Sequence, residues 1–318
     1  MLKIGVLGAG HLGKIHLKIL QDLTDQYELV GFHDPDLIKA EDAQSKFGIR
    51  NYDDVQSLID AVDVIDIVTP TLNHFDCSKS AIENAKHVFI EKPITNTVEE
   101  VDELLKLIQS SSCKLQVGHV ERFNPAFVAS KSYINNPMFI ECHRLSPFQP
   151  RGTDVSVVLD LMIHDLDIIL SLVNSSVKNI HASGVTVISD NPDIANARIE
   201  FENGCVANLT ASRISMKTMR KSRFFQDNGY ISVDFGENEV EVFQLADESA
   251  QSTFEIELND NKKQFNYIQP KIKASNAIQE ELISFANAIK TNSNTEVDIN
   301  DGAKALKLAH QILDKIEQ

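Results

Sequence analysis

The first 23 residues, "MLKIGVLGAGHLGKIHLKILQDL", admit few folds. An apolar run (Ile4, Val6, Leu7) ends in Gly8-Ala9-Gly10-His11-Leu12-Gly13, and a helical pattern with Leu17, Leu20 and Leu23 on its inner side follows at once. Each glycine of this GxGxxG spacing has a physical task. Gly8 makes the tight turn, Gly10 lets a pyrophosphate approach the backbone, and Gly13 lets helix and strand pack closely. The helix start offers unpaired N–H groups to the phosphates. "YELVGFHDPD" reads as the next strand and ends in Asp34, 21 residues after Gly13. A carboxylate there accepts the ribose hydroxyls and repels a 2′-phosphate, so the expected cofactor is NAD in preference to NADP. The glycines alone do not separate NAD from FAD.

Strands and helices keep alternating as far as residue 120. "VDVIDIVTPTLNH", "HVFIEKP" and "KLQVGHV" read as strands, separated by the helical "HFDCSKSAIENA" and "TVEEVDELLKLIQSSS". Such alternation implies a doubly wound parallel sheet, a Rossmann domain, with ligands beyond the carboxyl ends of the strands. Thr69-Pro70-Thr71 and Glu91-Lys92-Pro93 occupy two of those ends, on the same edge as the glycine loop. By itself "EKP" is a strand that surfaces with an ion pair and a turn. On that edge, Lys92 points toward a nicotinamide.

From about residue 177 the pattern changes to two-residue alternation with turn signals at Glu202-Asn203-Gly204 and Asp227-Asn228-Gly229, an antiparallel meander. Two helices, roughly 273–291 and 301–317, end the chain. The expected domains are 1–121 and 122–318, with no linker rich in Pro, Gly or Ser between them. Between the two patterns, "DVSVVLDLMIHDLDIILSLV" (154–173) reads as an amphipathic helix. At 100° per residue Asp160, His164, Asp167 and Ser171 share about 60° of its circumference. Asp165 falls among the apolar positions, where the sequence suggests no role.

GxGxxGxxH (Gly8 to His16), T-P-x-x-x-H (Thr69, Pro70, His74) and E-K-P together resemble the Gfo/Idh/MocA oxidoreductase family over essentially the whole chain. The resemblance implies a Rossmann domain followed by an open-faced, mostly antiparallel sheet domain that carries substrate and subunit contacts. It implies a catalytic Lys92, often followed by a cis bond to the proline. The family motif D-x-G-x-H-x-x-D matches at Asp160, His164 and Asp167, with Met162 in place of the glycine. By the same resemblance His164 is the general acid/base, with Asp160 orienting it or joining its proton path, and this outweighs a metal site. Cofactor contacts extend to Ala9, His11, Leu12, His74, Glu91 and His119. His119 stands beside Val120, where the family often has asparagine.

"GHVERFNP" and "ASRIS" are most like members that act on nucleotide-diphosphate sugars, so substrate contacts are expected from Lys92, Arg122, Asp160 and His164. Five cations in "RISMKTMRKSR" (213–223), with Arg213 and Arg220 foremost, suggest an anion subsite aided by Arg144 or Arg151, against the plainer reading of a charged sheet edge. The expected activity is NAD-dependent hydride transfer to or from a secondary alcohol of a sugar or nucleotide sugar. Imine or enone reduction on the same scaffold and a non-catalytic NAD-binding regulator are the alternatives.

Composition narrows the remaining classes. A net charge of −16 opposes general nucleic-acid binding. The four cysteines form no CxxC pair, which argues against zinc and for a reducing compartment. The start reads as a strand rather than a signal peptide, and the most apolar stretch carries four aspartates, too many for a membrane span. A cytoplasmic homo-oligomer, a dimer or tetramer built through the open sheet face, is expected.

Overall fold

A computed structural model describes residues 1–149, 155–246, 253–258 and 261–317. Its N-terminal part contains strands β1 (Leu2–Leu7), β2 (Tyr27–His33), β3 (Val64–Ile67), β4 (His87–Glu91) and β5 (Leu115–Gly118). Helices α1 (His11–Asp22), α2 (Leu37–Phe47), α3 (Val55–Ala61), α4 (His74–Glu83) and α5 (Val98–Gln109) connect them. The sheet order is β2-β1-β3-β4-β5 and every pairing is parallel. β3 and β5 are buried throughout, as strands covered on both faces must be. Local chemistry fixes the helix starts: Asp36 caps α2, Asp54 caps α3, and Thr97 with Glu100 forms a capping box on α5.

The second part begins with α6 (Pro125–Ser130), capped by Asn124 and opened by proline at its first position. Strand β6 (Phe139–Leu145) and helix α7 (Ile163–Leu172) follow, then β7 (Val177–Val185), β8 (Ile194–Phe201), β9 (Val206–Ser212) and β10 (Met219–Gln226). β11 (Gly229–Asp234), β12 (Glu239–Leu245), β13 (Phe254–Leu258) and β14 (Asn261–Ile268) complete a sheet of order β13-β14-β12-β11-β10-β6-β9-β8-β7. All its pairings are antiparallel except β6 with β9. The central strand β6 was not anticipated from the sequence. One face carries Ile140, Cys142, Leu209, Phe224, Ile231 and Val242, all at most 1% exposed. The other carries a ladder of half-buried rings: Phe139, Phe225, Tyr230, Phe243 and Phe265, with successive centroids 4.6–6.0 Å apart.

The chain then returns. Helices α8 (Ala277–Thr291) and α9 (Ile299–Ile316) follow, and residues 276–307 belong to the first compact unit together with 1–120, while 121–275 and 308–317 form the second. The expected single division into 1–121 and 122–318 is therefore corrected at its C-terminal side. The reason is burial: Leu282, Phe285 and Ala286 of α8 complete a core with Ile4, Val6, Tyr27 and Phe89. No helix among the described residues is long and apolar enough to cross a membrane.

The expected amphipathic helix at 154–173 also differs. Residues 158–162 form a π turn before α7, and its wider winding breaks the 100° step used to align Asp160 with His164. Asp160 and His164 are half-buried, whereas Asp167, expected on the polar face, is 1% exposed.

Candidate active site

Because the first sheet is wholly parallel, the carboxyl ends of its five strands lie on one edge. That edge receives the glycine loop after β1, Asp34 after β2, Thr69–Thr71 after β3, Lys92 after β4 and His119 after β5. Gly8 has φ +99°, and a Cβ there would lie 2.6 Å from the Val68 carbonyl oxygen. A Cβ on Gly13 would lie 2.0 Å from the Gly8 carbonyl oxygen, so only glycine lets α1 start this close to the turn. At Gly10 no atom of the described residues lies within 4 Å of that position. The loop thus leaves open the one face on which a pyrophosphate would approach, and α1 starts at Gly10 with no side-chain cap on its N–H groups. These residues fit a dinucleotide.

Asp34 has a structural duty beside its expected one. Its carboxylate accepts the Ala9 N–H at 2.7 Å and the Asp36 N–H at 2.9 Å, tying the turns after β1 and β2 together. Of the other residues expected at the cofactor, His11 is exposed at the first position of α1, while Leu12 packs against the core. Pro70 is exposed, and Thr69 and Thr71 are half-buried. His74 is 1% exposed, with its ring nitrogens 2.8 Å from the Pro93 carbonyl oxygen and 2.9 Å from that of Thr69. Burial lowers its pKa, and its place is that of a tie between two loops. His119 is likewise 1% exposed. The Lys92–Pro93 peptide is cis.

Glu91 connects Lys92 to a buried polar cluster that the sequence did not reveal. Its Oε2 accepts the Lys92 N–H at 3.2 Å, and its Oε1 lies 3.3 Å from His16 Nε2, an ionic contact poorly aligned for a hydrogen bond. The other His16 nitrogen pairs with Asp66 at 2.9 Å. Burial alone would lower the pKa of His16, but Asp66 and Glu91 outweigh it and raise the value well above 6.5. Glu281, from α8, is 0% exposed, and among the described residues neither of its carboxylate oxygens has a hydrogen-bond partner. Burial, then the charge of Glu91, raises its pKa well above 4.5.

This has a consequence for stability. As pH climbs past 4.5 an unfolded Glu281 ionises while the folded one keeps its proton, so folding loses stability with rising pH until the folded pKa is passed. Glu281→Gln removes that loss. The variant is expected to melt above the parent at pH 8, with a gap that grows by up to about 1.4 kcal/mol per pH unit and closes near pH 4.5. Melting curves from pH 5 to 8 measure it; a gap independent of pH contradicts a protonated Glu281.

In the second unit, two buried ion systems hold Asp165 and Asp167, the first and third residues after His164. Arg144 donates to Asp165 through Nε (3.0 Å) and Nη2 (2.8 Å), and to Glu121 through Nη1 (2.7 Å). Burial would lower its pKa, but Asp165 and Glu121 raise it. Asp165, the aspartate without a role in the sequence, is thus the inner partner of a buried guanidinium. Arg122 binds Asp167 in the same forked way, at 2.6 and 2.9 Å. Arg144 is 4% exposed and its fork is engaged by two carboxylates, which corrects the expectation of an anion contact there; Arg151 lies outside the described residues.

The basic run does not act as one cluster. Arg213 is 5% exposed and donates to the Val155 carbonyl at 2.5 Å. Lys217 lies in an exposed loop. Along β10, Arg220 shares the covered face with Ser222 and Phe224, while Lys221 and Arg223 share the other with Phe225. Among the described residues no group of three His, Cys, Asp or Glu could hold a metal ion.

Comparison with known proteins agrees with this geometry. An oxidoreductase family described by its NAD-binding Rossmann fold matches residues 2–119, and the C-terminal domain of the same family matches 135–232. The chain is 36% identical over 243 residues to UDP-N-acetylglucosamine 3-dehydrogenase from Acidithiobacillus ferrooxidans, covering 76% of this chain and 77% of that protein. A solved structure of that enzyme superposes with a TM-score of 0.90 over 99% of this chain and 98% of the other. Inositol 2-dehydrogenase from Rhizobium meliloti is 27% identical over 327 residues, 97% of this chain and 94% of that protein. The chain belongs to the Gfo/Idh/MocA oxidoreductase family and its first unit is an NAD-binding Rossmann fold.

Proposed function

We propose that the protein is an NAD-dependent dehydrogenase of a secondary alcohol on the sugar of a nucleotide sugar, with UDP-N-acetylglucosamine the first substrate to test. The observation that carries this is the shared edge of the parallel sheet, where the glycine loop, Asp34 and Lys92 follow β1, β2 and β4. The sequence likeness to a UDP-N-acetylglucosamine 3-dehydrogenase supports the substrate class. The glycine loop and α1 hold the pyrophosphate, and Asp34 holds the adenosine ribose and selects NAD over NADP. When bound, the nicotinamide supplies the hydride acceptor or donor.

The chain's own residues handle the proton and the charge. Oxidation removes a hydride from carbon and a proton from oxygen. His164 takes that proton and returns it in the reverse direction, since imidazole changes charge near neutral pH. Lys92 hydrogen-bonds the same oxygen and stabilises the developing alkoxide. Asp160 orients the imidazole. Arg220, exposed on the covered face of β10, is assigned to the diphosphate, and Arg213 to holding the segment beside it. The aromatic ladder of the open face is assigned to a second copy of this chain, because a contiguous row of rings is poorly hydrated alone.

One preparation tests the reading. NADH absorbance is followed with UDP-N-acetylglucosamine, other UDP-sugars, free sugars and inositols, each with NAD and NADP, and light scattering gives the mass. Turnover is expected with a UDP-sugar and NAD, and Arg220→Gln is expected to lose activity selectively on the nucleotide sugar. Equal rates on free sugars, equal use of NADP, or a monomeric mass would contradict the corresponding part.

A further inference from the structure

We propose that Arg144, clamped between Asp165 and Glu121, is a positioning residue for His164. This rests on the assignment of His164 as the acid–base group. His164 sits at the second position of α7, directly after the π turn, where backbone hydrogen bonding is irregular and the helix has least intrinsic hold on its own orientation. The neighbouring Asp165 is tied by a two-pronged guanidinium, and that guanidinium is itself held by Glu121. Arg144, Asp165 and Glu121 expose 4%, 5% and 7% of their side chains, so water competes for none of these bonds. A forked Arg–carboxylate pair fixes direction as well as distance, unlike the point charge of a lysine.

A second clamp grips the same helix two residues on. Arg122, next to Glu121 in sequence, forks onto Asp167 with side-chain exposures of 8% and 1%. Positions 165 and 167 leave an α-helix about 200° apart, so the two clamps hold α7 from opposite sides and resist its rotation about its axis. The adjacent residues Glu121 and Arg122 thus set the direction of His164 through two separate ion systems. Strand β6 presents Arg144 on the covered face that packs against α7, in register with Ala211 of β9 and Arg220 of β10.

Asp165→Asn keeps the shape and one acceptor oxygen but removes the charge that holds the fork. In the full-length protein its kcat is expected to fall about 10–100-fold, with KM for the sugar and the NADH affinity unchanged within about twofold, and with the acid–base limb of the kcat–pH profile displaced. Arg144→Lys, which keeps the charge without the fork, should give the same pattern more weakly and serves if Asp165→Asn folds poorly. In a His164→Ala background Asp165→Asn should have little further effect, because the group it positions is gone. A loss of kcat that multiplies fully with His164→Ala overturns the proposal, as does an unchanged kcat in well-folded Asp165→Asn and Arg144→Lys. A His164→Ala variant of near-full activity instead sinks the acid–base assignment, an outcome separate from either.

Discussion

Lys92→Ala and His164→Ala are each expected to lower turnover by about two to four orders of magnitude while the protein stays folded and keeps its affinity for NADH. The expectation follows from what each side chain does in the proposed reaction. In the proposed reaction the developing alkoxide needs a fixed positive partner, and Lys92, directly after β4, is the residue assigned to supply it. Lys92 is held at its root as well, since the Glu91 carboxylate accepts its backbone N–H and is itself braced by His16. Truncation at Cβ leaves that root intact, so the fold and the glycine loop should not notice. His164 belongs to the second unit, and its truncation removes the proposed proton acceptor while leaving every residue of the glycine loop unchanged. Steady-state kinetics on the substrate found in the assay, with NADH titrations of each variant, measure the effect. Near-full turnover in either variant removes that residue from the reaction. An equal fall in NADH affinity reassigns Lys92 to cofactor binding.

The features legible in the sequence are the ones whose causes are local. The glycine loop could be read because its turn, helix start and close packing are set within six consecutive residues, and the structure places Gly8 and Gly13 under those steric demands. The polar interior was not legible, because its partners are brought together only by the fold. Asp165 meets Arg144 across 21 residues, and Gln116 reaches the Glu281 carbonyl across 165. Read along one helix, Asp165 interrupts an apolar stripe; read in the fold, it completes an ion system.

Strand β6 escaped for a related reason. Its covered face runs Ile140, Cys142, Arg144, and the charge at its end hides the alternation that would have marked a strand. The basic run misled in the opposite sense. Five cations close in sequence suggest one patch, but a strand sends neighbours to opposite faces, so Arg220 and Lys221 part company. The helix expected at 154–173 is shorter, with a π turn at 158–162 leading into α7, and nothing in its composition announces that turn.

Two alanine substitutions three residues apart should separate the two tasks of the glycine loop. At Gly13 the added Cβ would sit 2.0 Å from the Gly8 carbonyl oxygen, a backbone atom that cannot rotate away. Gly13→Ala must therefore push α1 off β1, and overpacking of this kind costs about 1–3 kcal/mol or more. At Gly10 the Cβ meets no atom of the described residues within 4 Å, and the backbone there has φ −66°, which alanine adopts freely. Gly10→Ala should cost no more than about 1 kcal/mol, the weaker capping of alanine. It nevertheless fills the opening through which, in the proposed binding mode, the pyrophosphate would reach the N–H groups of α1. Without cofactor, then, Gly10→Ala is expected to melt close to the parent and Gly13→Ala several degrees below it. With NADH at about 100 times the parent Kd, the parent gains about 2.7 kcal/mol, and both variants should lose most of that gain. Thermal melts with and without NADH read both quantities at once. A Gly10→Ala protein that keeps the full NADH-induced shift would mean that the pyrophosphate approaches this loop from another side.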